Sequence, residues 1–126
     1  MRPGFDDSAW ATGPGMFGRE GTPGVRLGTP WTTSDIWLRR EFHLTQIPRG
    51  DLLLQVYHDE DATVYINGLH AGSFGRWVTA HVFVEIADEA RDALRPGSNV
   101  LAVHCHQSTG GQGIDVGLVL LTETGE

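Results

Sequence analysis

The chain is short of the features that mark several large classes of protein. It has one cysteine, Cys105, in 126 residues, so no disulfide can form within it and the fold must stand on packing. No run approaches the roughly 20 consecutive apolar residues that would span a bilayer as a helix. Basic residues are scarce, 9 against 16 acidic, and the net charge of -7 disfavours attraction to a phosphate backbone or an anionic membrane surface. Neither nucleic acid nor membrane is therefore expected as a partner.

Catalytic signatures are missing as well. There is no Gly-x-Ser-x-Gly elbow, no phosphate-cradling glycine loop and no Cys-x-x-Cys pair. The start, Met1 to Asp7, has no apolar signal core, so the sequence reads as a cytoplasmic protein or as a piece of a longer one. At 13.8 kDa it fits one domain spanning 1–126, with room for a core but little for a catalytic barrel and its loops.

What is present is mostly strand. Residues 1–34 hold seven of the 17 glycines and four of the six prolines, which predicts an irregular arm with one short strand near Ala9 and Trp10. Trp10, Phe17 and Trp31 are the side chains that would fasten such an arm over the rest. From Asp35 onward the period is two. Ile36, Leu38 and Phe42 alternate with Trp37, Arg39, Glu41 and His43, and Leu52, Leu54 and Val56 alternate with Leu53, Gln55 and Tyr57. The row Val78, Ala80, Val82, Val84 and Ile86 faces away from Thr79, His81, Phe83 and Glu85.

The stretch Asp61 to Ile66 alternates too, placing Ala62, Val64 and Ile66 on one side, and it runs into Asn67-Gly68, a pair suited to the positive φ angles of a tight hairpin. Two more strands are expected, Asn99 to Gln107 and Gly113 to Leu121. Only Asp88 to Leu94 reads as helical, ended by Pro96-Gly97. Many short strands with one helical turn predict an all-β fold, a β-sandwich of the jelly-roll kind, with a frayed polar tail after Leu121.

Two clusters carry candidate chemistry. Asp59-Glu60-Asp61 can be read as a solvated turn, as a hard-cation site in which Asp59 and Asp61 would hold calcium, or as a carboxylate pair for glycoside hydrolysis. The solvated turn is the first reading. His104-Cys105-His106 presents two imidazoles on one strand face, and a transition metal would need a third ligand from His81, Glu85 or Asp115. The blander reading is hydrogen-bonded sheet histidines lining a groove. Cys105 shares its side with Leu101 and Val103 and reads as a small core residue rather than a nucleophile.

A pyranose asks for a different set, namely an aromatic plane beside acceptors and donors matched to its hydroxyls. Trp77, after Gly75-Arg76, is the stacking candidate. Asp59, Asp61, Asn67, His104, His106, Gln107 and Asp115 fall at strand ends or on polar faces and are expected to line one groove with it.

Three segments together resemble the sugar-binding jelly-roll domain of glycoside hydrolase family 2, in the galactose-binding-like superfamily. They are Asp35-Ile36-Trp37-Leu38-Arg39-Arg40-Glu41-Phe42, Val64-Tyr65-Ile66-Asn67-Gly68, and the run from Leu94 to Val103. The resemblance covers roughly residues 8–121 and implies a non-catalytic sandwich attached to a glycosidase or another secreted enzyme. Such a domain either binds carbohydrate through its loops or braces the catalytic domain of its parent polypeptide. It would place the chain outside the cell or in the periplasm. It also implies that Asn67 is mainly a turn residue and that Arg39 or Arg40 is buried with a carboxylate. The histidine pair and the acidic run are not features of that pattern. The expectation is thus a carbohydrate-binding module without enzymatic activity and with no certain cofactor, structural calcium being the one candidate.

Overall fold

The computed structural model of the chain describes residues 17–18, 28–31, 33–47, 50–59, 61–75, 81–107 and 112–121. Among them the fold is almost wholly β, in two sheets with one short helix. The first sheet contains β1 (Phe17–Gly18), β2 (Thr29–Pro30), β4 (Asp51–Asp59), β7 (Val82–Glu85) and β9 (Gly113–Leu121), in the order β2-β1-β9-β4-β7. The second contains β3 (Asp35–Leu44), β5 (Asp61–Ile66), β6 (Leu69–Phe74) and β8 (Gly97–His106), in the order β3-β8-β5-β6.

Alternation decides what lies between the sheets. Leu52, Leu54 and Val56 of β4 and Ile114 of β9 are buried on one side; Ala62, Val64 and Ile66 of β5 with Leu101, Val103 and Cys105 of β8 are buried on the other. Gly72 in β6 lies so close to Leu54 of the facing sheet that an added Cβ would sit 3.4 Å from its Cδ1. The two inner faces therefore pack against each other, as in a sandwich. Phe17 leans on this core and Trp31 is buried in it. Trp10 and the strand expected beside it lie outside the described residues.

The Asn67-Gly68 hairpin is present, with φ of 50° and 83° joining β5 to β6. The helix α1 (Asp88–Asp92) is shorter than the expected Asp88 to Leu94, although Ala90 and Leu94 are both buried as its pattern requires. Val82 to Glu85 forms the end of the strand expected from Val78; residues 76–80 are outside the described set. Among the described residues no helix is long and apolar enough to cross a membrane.

Candidate functional site: the outer face of the four-stranded sheet

The side chains that leave the core on β3, β8, β5 and β6 form rows across the outer face of this sheet. Register places Asp35, His106 and Asp61 in one row, Trp37, His104, Thr63 and Ser73 in the next, and Arg39, Ala102, Tyr65 and His70 in a third. The backbone N–H of Gln107 donates to the Ser34 carbonyl at 2.7 Å, which fixes the hydrogen-bonding phase of β3 against β8. Asp35 and Trp37 accordingly face His106 and His104 as non-hydrogen-bonded pairs, the arrangement in which side chains come closest.

The consequences are visible at both pairs. The indole of Trp37 stacks on the His104 ring with centroids 4.2 Å apart and planes inclined by 19°. Trp37 is nevertheless 44% exposed. One oxygen of Asp35, Oδ1, lies 2.8 Å from His104 Nε2 and 2.9 Å from His106 Nδ1. A carboxylate oxygen only accepts, so each imidazole carries its proton on the nitrogen that touches Asp35. These hydrogen bonds, that from His106 first and that from His104 second, hold the Asp35 carboxyl below its ordinary value of 3.8. Asp35 is thus a carboxylate oriented through one oxygen, and among the described residues its second oxygen has no such donor.

The eight residues expected to share one groove are divided. His104 and His106 stand on this face, and Asp61 lies across β5 from His106. Gln107, half-buried, follows at the end of β8. Asn67 is committed to the fold: its Nδ2 donates to the Ala93 carbonyl at 2.8 Å and to Asn99 Oδ1 at 2.9 Å, while its Oδ1 accepts from Val100 N–H at 2.8 Å. Three of the four hydrogen bonds its carboxamide can make are thus spent within the fold.

Asp59 is buried in β4, and Asp115 is in β9, both in the other sheet. There Asp115 Oδ2 lies 2.8 Å from His81 Nε2, beside the buried Tyr57 ring. His81, Glu85 and Asp115 therefore belong to the five-stranded layer, and the third metal ligand sought for His104 and His106 is not among them. Among the described residues no group of three or more His, Cys, Asp or Glu side chains is disposed to hold a metal ion. Trp77 and Glu60 lie outside the described residues.

Trp37 and Asp35 were not singled out by the sequence reading as ligand-contacting. The signal for Trp37 is its phase: it falls on the polar side of an alternating strand, with Arg39, Glu41 and His43. For Asp35 the signal exists only once β3 is paired with β8. Cys105, between the two histidines, points inward; burial, with the charges of Asp59 and Asp61, pushes its thiol up to about 12.

No protein-family model matches this chain, and none of the curated proteins compared with it matches.

Proposed function

We propose that the chain is a non-catalytic carbohydrate-binding module, a jelly roll of the galactose-binding-like kind, and that it holds its ligand on the outer face of the β3-β8-β5-β6 sheet. The observation that carries this reading is the Trp37-His104 stack beside the doubly hydrogen-bonded Asp35. An exposed indole offers a plane for the axial hydrogens of a pyranose, and a pre-oriented ionised carboxylate accepts from its hydroxyls without first losing side-chain freedom. The resemblance of three segments to the family 2 sugar-binding domain points the same way. In this reading the chain is one part of a longer secreted protein whose catalytic domain lies elsewhere. The test is calorimetry or affinity electrophoresis against a panel of glycans; absence of binding to every member would remove the proposal.

A second reading, a domain that braces a neighbour without holding sugar, is favoured by one feature of the opposite face. Phe83 is 58% exposed in a row with Gln55 and Gly117, next to the row Glu85, Leu53 and Val119. If this face docks on the catalytic domain of the parent polypeptide, Phe83→Ser weakens that association and leaves glycan binding unchanged.

A further inference from the structure

We infer that the ligand is a neutral, extended oligosaccharide lying across the strands, with a second contact at Ser73 and His70 on the far edge of the same sheet. This rests on the carbohydrate reading above and adds a second subsite, a direction, a length and a charge class to it.

The second contact is built by a β-bulge. In β6, Val64 pairs with Gly72 but Tyr65 pairs with His70, which leaves Ala71 between them without a partner on β5. Ala71 turns into the core, where it is buried, and its carbonyl accepts from Ala87 N–H at 2.9 Å. In an unbroken strand, residues three apart face opposite sides; the extra residue brings His70 and Ser73 onto the same, outer side. There His70 Nε2 and Ser73 Oγ are 2.8 Å apart, and His70 Nδ1 lies 4.0 Å from Glu89 Oε1. The Tyr65 ring stands edge-on to His70 with centroids 6.4 Å apart. Hydroxyl, imidazole and carboxylate are all exposed, so a polyol meets both donors and acceptors at this edge.

Ser73 shares its row with Trp37. The row crosses from β3 through His104 on β8 and Thr63 on β5, and three strand spacings separate its ends by about 14 Å. One pyranose repeat of an extended chain is comparable to one such step, so about three or four rings reach from the indole to the serine. Charge narrows the class. Asp35 is held ionised by its two hydrogen bonds and Asp61 shares its row, Arg39 is the one Lys or Arg side chain among the described residues of these three rows, and the chain as a whole carries -7. A chain of uronates or sulfated sugars would meet like charge along its length, whereas neutral hydroxyls find acceptors.

The experiment is calorimetry with the whole chain at neutral pH, using cello-, manno- and xylo-oligosaccharides of one to six units and oligogalacturonates of matching length. Affinity is expected to climb until about three or four units and then level, with the galacturonates at least tenfold weaker. S73A and H70A should lower affinity for the longer chains several-fold while leaving any measurable monosaccharide or disaccharide binding unchanged. Affinity independent of length, with S73A and H70A like the unaltered protein, would overturn the second contact and leave the Trp37 site standing. Uronate chains binding as well as neutral ones would overturn the charge assignment. Absence of binding at every length would overturn this inference together with the reading beneath it.

Discussion

Asn67 and Asn99 are hydrogen-bonded to each other at the end of the four-stranded sheet, Asn67 Nδ2 donating to Asn99 Oδ1 at 2.9 Å. Asn99 is fully buried and is otherwise spent on the loop before β8: its Oδ1 accepts from Arg95 N–H, and its Nδ2 donates to the carbonyls of Arg95 and Gly97. One pair of carboxamides thus ties the hairpin of β5 and β6 to the helix end at Ala93 and to the start of β8.

Removing one member leaves several buried polar groups without partners. Asn67→Gly keeps the positive φ of the turn but deletes all three side-chain hydrogen bonds, and about 2–3 kcal/mol of stability should go with them. Asn67→Ala should cost about 1 kcal/mol more, because alanine is strained at φ of 50°. Urea denaturation of both variants reads these losses. An Asn67→Gly variant within about 0.5 kcal/mol of the unaltered protein would show that the carboxamide pair is not what holds this end.

Binding and folding should separate at Trp37. Its ring lies on the outer face, so Trp37→Ala gives up little core packing, and its melting temperature should fall by no more than a few degrees. As the aromatic centre of the proposed contact, the same change should weaken glycan binding about thirtyfold or more. Trp37→Phe, which keeps a smaller plane, should fall between the two. A folded Trp37→Ala variant that binds with unchanged affinity would move the ligand off this face.

The sheet pattern was legible because alternation is a local property: Ala62, Val64 and Ile66, or Leu52, Leu54 and Val56, announce their inner face without knowledge of any partner. The hairpin at Asn67-Gly68 is local for the same reason. The candidate site was legible only in part. His104 and His106 stood out as two imidazoles on one strand, but their shared partner, Asp35, is 69 and 71 residues away and reaches them through strand pairing. Nothing in the sequence near Asp115 says that its partner is His81 and its sheet the opposite one. The bulge at Ala71 was likewise hidden, since it depends on which residues of β5 and β6 face each other.

Asp35 should leave a mark on acid stability. Its folded pKa lies below 3.8, so the stabilisation from ionised Asp35 is complete above that value and is lost as pH falls through the folded one. Asp35→Asn removes this contribution. The gap in urea midpoint between the unaltered protein and the variant should therefore close as pH drops below 3.8. A gap that persists undiminished to the lowest pH at which both fold would show that the carboxylate is not held as described.

Cys105 supplies the complementary alkaline test. Its side chain is fully buried in β8, opposite Ile36 of β3 and Ala62 of β5, and its thiol is pushed from 9.0 to about 12, chiefly by burial. A thiol that stays protonated and out of water is a poor nucleophile, so iodoacetamide at pH 8 should leave the native protein unmodified and label it rapidly in denaturant. The raised value also fixes a sign. Between pH 9.0 and about 12 the folded chain keeps a proton that the unfolded chain releases, so stability falls with rising pH, at a limit of about 1.4 kcal/mol per pH unit for one group. The buried Tyr57, whose pKa is also raised by burial from 10.0, acts in the same direction, which is why the comparison must be with Cys105→Ala rather than with neutral pH alone. That variant should lose a little packing at pH 7 and then gain on the unaltered protein as pH climbs above 9.0. Parallel stability curves for the two proteins across that range, or prompt alkylation of the native thiol, would mean that the strand between the histidines does not face the core.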